Sequence, residues 1–443
     1  MPADASTDSP GDPTPFPDQT TFVPVKAASL AGLPVELQSQ IAEYTFDGGG
    51  GDDCKSVPLK ENQPDPSQTI LALSLVNRHF YQLCTPLVWE ALNITDKNTY
   101  ALLDVIRQVL PGKARYVKHL ILGTLRHWLK LEARNEFEEE DINRSYNAIE
   151  AAQSLYTGNF NRLHSLGGRV RQARALLDAV VLNECHNVRS VEYSSTDTWA
   201  SSSSFFPVLD ALVQRPAFLT SLDLEFPLGV PKGDILAAVI RSQPSLVTLV
   251  IDCGHADHLN FDRPALYSAL ATLSSLTSLT LYGRNLFDGD LFSVILACPL
   301  VDLALDPFED SVSIAAIRCF VRPFTSTLRT VYLLLSSVTP DDTHTPAPLL
   351  LPHLESLDLE IEDDLSVLPY IFGSSLVNVN IIRDHNGRLA DAAFVQFLDA
   401  HRDTLRTIKV TLWDAQDEAI EEALIAWALR QPREICVHVG YDG

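Results

Sequence analysis

Nine segments between residues 188 and 410 share one spacing, L-x-x-L-x-L with Val, Ile or Tyr at some apolar positions. They are VRSVEY (188–193), LTSLDL (219–224), LVTLVI (246–251), LTSLTL (276–281), LVDLAL (300–305), LRTVYL (328–333), LESLDL (354–359), LVNVNI (376–381) and LRTIKV (405–410). Their starts lie 22 to 31 residues apart. A period of that length, with alternating apolar residues in each unit, predicts a short strand followed by a helix or 3₁₀ segment, repeated. One such unit cannot bury its apolar face alone, so the stacked array, an α/β solenoid, is the expected folding unit.

The chain has 443 residues, enough for two or three ordinary domains or for one long array preceded by a small module. It is 46% apolar and 20% charged, which supports a packed core along most of its length. Against 33 Lys and Arg stand 57 Asp and Glu, a net charge of -24. That balance argues against binding to a phosphate backbone or an anionic membrane, and any partner steered at long range is expected to be basic. The seven cysteines are odd in number, scattered and often inside apolar runs, as suits buried thiols in a reducing compartment. The first thirty residues carry no signal-like segment and no stretch is apolar for long enough to predict a membrane span, so a cytoplasmic or nuclear location is expected.

Residues 1–28 contain six Pro in the first 24 positions and read as a disordered tail. LPVELQSQIAEY then predicts a helix, with Pro34 in its first turn and Leu33, Leu37, Ile41 and Tyr44 on one face. A Gly, Asp and Pro-rich loop at 47–68 separates it from a second helix in QTILALSLVNRHFYQLC, and a third is expected to begin near Pro86 in TPLVWEALNI. From about 100 to 182 the pattern is helical apart from VKHLIL (117–122), read as the first strand of the array. EAIEEALIAWALRQP (418–432) and EICVHVGY predict a last helix and strand that cap it.

The strings LPVELQSQIAEY and LALSLVNRHFYQLCTPLVWEALNI resemble the F-box, in the form common in fungal F-box-like proteins. Leu33, Pro34 and Leu37 match the first-helix signature, with Ile41 one turn on; Leu73, Leu75, Val76, Phe80, Cys84, Leu87 and Trp89 match the second half. The resemblance implies a three-helix module over 29–95 that binds a Skp1-type adaptor, and through it a cullin ligase, while the C-terminal domain selects a protein substrate. By the same resemblance Leu33, Pro34, Leu37, Ile41, Val76 and Leu87 lie at or near the adaptor contact, and Val76, Phe80 and Trp89 partly close a small core. The 47–68 insertion departs from the compact motif; its closure costs on the order of 1 kcal/mol, and it could hinder docking. The alternative is a protein-binding scaffold not coupled to ubiquitin transfer, the inserted loop having spoiled adaptor docking; if the N-terminal helices are instead an ordinary cap of the array, Leu33 and Leu37 pack inward.

Residues 96–443 resemble a degenerate leucine-rich-repeat domain. The Asn or Cys usual three residues after the last Leu is missing; Pro227, Gly254, Arg284, Phe308, Ser336 and Glu362 stand at that place in six units. The resemblance therefore implies an irregular horseshoe. With the Leu positions facing the core, the intervening residues are expected on the concave side. Among them Glu192, Asp223, Glu225, Asp252, Tyr282, Asp302, Asp306, Tyr332, Asp358 and Glu360 are candidate substrate contacts, the carboxylates for a basic segment and the tyrosines as anchors.

Chemistry is weakly signalled. Cys253, His255, Asp257 and His258 crowd together in CGHADH, but without the spacing that holds a tetrahedral zinc. Asp341, Asp342 and His344 sit in the Pro-flanked TPDDTHTPAP, with no apolar enclosure to tune a catalytic pKa. No phosphate loop or nucleophile elbow is present, and the basic face required for nucleic acid is lacking. No catalytic residue, metal or cofactor is expected, and the activity predicted is recognition.

Overall fold

In the computed structural model the described residues are 72–76, 78–95, 99–123, 147, 150–151, 154, 166–194, 206–215, 218–226, 233–253, 262–283, 290–291, 294, 296–306, 312–335, 338–339, 349–361, 371–372, 375–383, 391–412, 418–431 and 435–441. The chain divides into two compact units, Met1–Val88 and Trp89–Gly443, where the sequence reading set a boundary at 95.

In the first unit, Ala72–Ser74 is helical, Leu75 and Val76 form a turn, and helix α1 (Arg78–Val88) follows. One face of α1 buries Phe80 and Cys84 against Leu73, with Leu87 and Val88 partly covered beside them. α1 runs through Pro86, so the third helix expected to start there does not form. The expected helix beginning at Leu33 lies outside the described residues, as does the 47–68 insertion.

The second unit is an α/β body built on one open sheet of twelve parallel strands, compatible with a solenoid-like arrangement. In chain order these are β1 (Ala91–Asn93), β2 (His119–Gly123), β3 (Ser190–Ser194), β4 (Ser221–Glu225), β5 (Thr248–Asp252), β6 (Ser278–Tyr282), β7 (Asp302–Asp306), β8 (Thr330–Leu335), β9 (Ser356–Ile361), β10 (Asn378–Arg383), β11 (Thr407–Leu412) and β12 (Cys436–Tyr441). Each strand pairs with the next, so spatial order follows chain order from end to end. All nine L-x-x-L-x-L units form strands β3 to β11. VKHLIL contributes β2 rather than the first strand. The first is β1, and its sequence WEALNI has the repeat's own spacing: Leu92 and Ile94 are buried in the large core and Trp89 packs against it.

One backbone device recurs at each step from β1 to β11. The carbonyl just before a strand accepts two N–H groups from the following unit: Thr220 O takes Val247 N at 2.8 Å and Thr248 N at 3.0 Å, and Val247 O takes Thr277 N and Ser278 N at 2.8 and 3.0 Å. Glu90 does the same for Lys118 and His119, which makes WEALNI a full member of the series. Inside the sheet the second and fourth residues of each strand point to the core. Leu222, Leu224, Leu249, Ile251, Leu279 and Leu281 are fully buried, each contributing roughly 1.5–3 kcal/mol.

The segment returning from one strand to the next is helical where it is long. Six such helices are α2 (Pro207–Gln214), α3 (Gly233–Ser242), α4 (Arg263–Leu270), α5 (Ile314–Val321), α6 (Asp391–His401) and α7 (Glu418–Leu429). Pro207 opens α2, and Asp262 caps α4 by accepting the Ala265 N–H at 3.1 Å. The unit starts at 276, 328 and 354 are followed after only 24, 26 and 22 residues, and no helix is described in those returns. DLFSVILACP, apolar and long enough for two helical turns, shows only a 3₁₀ turn at 290–291 among its described residues, in a return of 24 residues. Two short parallel strand pairs outside the main sheet, Val312–Ser313 with Val338–Thr339 and Leu349–Leu350 with Ile371–Phe372, occupy part of this region.

Upstream, a helical stretch covers 99–116 and a long helix covers Leu166–Glu184. The long helix carries the buried pair Arg174–Asp178, Nε to Oδ1 2.9 Å. Arg174 Nη2 also donates to Ile94 O at 2.6 Å and Gly123 O at 2.7 Å, the carbonyls that leave β1 and β2. At this end a guanidinium satisfies turn backbone that an Asn ladder would otherwise serve.

Candidate functional site

On the sheet face opposite the core, each strand from β3 to β12 presents side chains in register with its neighbours. Its middle row runs Glu192, Asp223, Val250, Thr280, Ala304, Tyr332, Asp358, Asn380, Lys409, His438 across strands β3 to β12. A second row places Glu225, Asp252, Tyr282 and Asp306 on β4 to β7. Asp302 stands beside Ser278 and Thr330 in a third row of mostly small hydroxyl residues. The backbone of Glu360 pairs in register with Leu334 and Ile382; its side chain is outside the described set.

All ten candidate contacts thus come from strands β3 to β9 of one sheet, at the third-row, middle-row and second-row positions the repeat predicted. Their exposure is uneven. Glu192 is exposed, Asp223, Glu225, Asp252, Tyr282, Asp302, Tyr332 and Asp358 are half-buried, and Asp306 is buried at 8%. Asp306 is therefore less open than the sequence pattern implied, having the Tyr282 side chain as its register neighbour.

Crowding of like charge on parallel strands about 4.8 Å apart shows in the acidities. Burial pushes Asp223 up from an ordinary 3.8 to about 6, and the carboxylates of Glu192, Glu225 and Asp252 push in the same direction. Burial also raises Asp358, against a hydrogen bond from Asn380 and the charge of Lys409. The Tyr282 phenol is raised by burial and then by Asp306, Asp252 and Asp358. Tyr282 and Tyr332 meet edge to face, ring centroids 5.8 Å apart and planes at 88°. The aromatic pair between two acidic groups was missed as a unit by sequence reasoning, since the residues lie fifty positions apart. Their register partners, Asp306 and Ala304 on β7, were the signal that could have joined them.

Of the candidate adaptor contacts, Leu33, Pro34, Leu37 and Ile41 lie outside the described residues. Val76 is 39% exposed on the turn before α1, next to Leu75 at 79%, and Tyr81 is also exposed. Val76 therefore does not close the small core as expected; its N–H donates to Leu73 O at 3.0 Å, a turn that swings the side chain outward. Phe80 does fill that core, whereas Trp89 packs in the second unit, since the chain after Val88 is already entering β1. Leu87 is half-buried against Phe80 and its neighbours.

Cys253 is buried at the end of β5, and burial raises its thiol well above the ordinary value. His255, Asp257 and His258 lie outside the described residues, as do Asp341, Asp342 and His344. Among the described residues no group of three or more His, Cys, Asp or Glu is arranged to hold a metal ion. No described helix is long and apolar enough to cross a membrane. Four cysteines (84, 185, 253, 298) are buried thiols, whereas Cys319 and Cys436 are exposed, which the apolar runs around them did not predict. No protein-family model matches the chain, and no curated protein matches it.

Proposed function

We propose that this chain is the substrate-recognition subunit of a Skp1-cullin-F-box type ubiquitin ligase. In this reading the N-terminal helices form an F-box-like module that docks a Skp1-type adaptor, and the second unit is a leucine-rich-repeat horseshoe that holds a protein target. The ligase's catalytic subunits act on that target because it is tethered at high effective concentration, and this chain performs no bond-making step. The observation that carries the reading is the single acidic and tyrosine-bearing face laid out in register over strands β3 to β9. Such a rigid row of side chains suits a protein segment of basic character, with net charge favouring encounter. The exposed Leu75, Val76 and Tyr81 support an apolar contact on the N-terminal unit.

Co-purification with a Skp1-type adaptor tests the reading. The full chain is expected to retain the adaptor, and the combined Leu33→Asp, Leu37→Asp variant to lose it. Failure of the folded wild-type chain to bind would overturn it. The polar insertion at 47–68 favours the second reading, a leucine-rich scaffold uncoupled from ubiquitin transfer, and that result would bring it forward.

A further inference from the structure

Tyr282 and Tyr332 belong to β6 and β8, two strands apart and hence roughly 9–10 Å across the sheet. Their ring centroids are nevertheless 5.8 Å apart. The rings therefore lean toward each other over β7, the strand between them. The β7 residue directly in register with Tyr332 is Ala304, a methyl group, and in register with Thr280 on the other side. Tyr282, two residues further along its strand, has Asp306 as its β7 neighbour, so a larger side chain at 304 would crowd the Tyr332 ring first. Ala304 is flanked along its own strand by Asp302 and Asp306, and Asp358 stands beside Tyr332 on β9.

Two perpendicular aromatic walls, a small floor and carboxylates on both sides make a site with a definite chemical preference. Ring faces carry negative potential and attract cations, and nearby carboxylates add to it. Burial raises the Tyr282 phenol first, and the carboxylates of Asp306, Asp252 and Asp358 raise it further. A neutral apolar side chain would gain the ring contact but leave the carboxylates unanswered; an anion would be repelled.

We infer that the Tyr282–Tyr332 pair over Ala304 seats an arginine or lysine side chain of the bound protein segment, with the cation against the rings and its charge answered by Asp306, Asp302 and Asp358. This rests on the reading of the face as the target contact, and it assigns the anchor of that contact. The rings supply the position along the sheet, whereas the carboxylates spread over β3 to β9 supply attraction without register.

The test uses the full chain and a fluorescently labelled oligo-arginine peptide, read by anisotropy at physiological salt. Tyr282→Ala with Tyr332→Ala changes no charge and is expected to weaken binding on the order of tenfold, while Tyr282→Phe with Tyr332→Phe stays within about twofold. Ala304→Leu, which keeps both rings and every charge but fills the floor, is expected to weaken binding as well, and it serves if the double alanine variant does not fold by circular dichroism. Undiminished affinity in the folded alanine variant or in Ala304→Leu would overturn the inference, as would a phenylalanine variant as weak as the alanine one. Adaptor co-purification on the same preparations keeps the two readings apart. Loss of the adaptor with retained, tyrosine-dependent peptide binding removes the ligase reading and leaves this seat standing, and the reverse pattern removes the seat alone.

Discussion

Single residues on the sheet face carry measurable electrostatic strain. Asp223 has its acidity pushed to about 6, first by burial and then by three neighbouring carboxylates. Because the folded-state value lies above the unfolded one, the protonated form is favoured by folding; that contribution is present below pH about 4 and lost as pH rises through about 6. Asp223→Asn is therefore expected to be more stable than the parent at pH about 7 and to match it near pH about 4, as read from urea midpoints. Binding of a basic peptide should strengthen over the same interval, as Asp223 gains charge. A second residue is constrained by space. Gly123 ends β2 with φ of +103°, and a methyl group there would lie 1.9 Å from the Ser194 carbonyl oxygen. Gly123→Ala should cost at least about 2 kcal/mol in chemical denaturation, since both the conformation and the neighbour resist it.

At the scale of elements, the long helix Leu166–Glu184 holds the early strands through Arg174. Burial pushes Asp178 above the ordinary carboxylate range, while the Arg174 charge and hydrogen bond and the Gly123 N–H oppose that rise. Arg174→Met leaves Asp178 and two strand-end carbonyls without their donor, and a loss of about 3–5 kcal/mol is expected. Asp178→Asn, which keeps a hydrogen-bond acceptor, should cost less; equal losses in thermal unfolding would contradict this account. Strands were legible wherever the apolar spacing stood clear, as in LTSLDL and LESLDL, because two buried leucines per strand leave little freedom of register. WEALNI has the same spacing, but Trp in place of Leu and a helix-favouring E-A-L core hid β1 behind an expected helix. Arg174 was illegible for a different reason: its partners are 51 and 80 residues away in sequence, and no local pattern links them. The tyrosine pair shares that difficulty, because strand register, not sequence distance, decides which side chains meet.

Across the whole second unit, contacts between strands are almost all between successive neighbours, so stability is expected to be local and additive along the array. Trp427 is buried at the C-terminal end, where its Nε1 donates to Asp399 Oδ1 at 2.8 Å and joins α7 to α6. Trp427→Ala should speed amide hydrogen exchange in β11 and β12 while leaving β4 to β6 protected; uniform acceleration throughout the sheet would show instead that the array unfolds as one body. The returns between strands vary from helices to short extended pieces, yet the two-N–H carbonyl step recurs from β1 to β11 on either side of them. Length changes are thus absorbed on the side away from the exposed sheet face. Trimming or extending a return by several residues is therefore expected to leave the outward side chains aimed as they are, so tolerance of insertions belongs to the back of the sheet and constraint to its front.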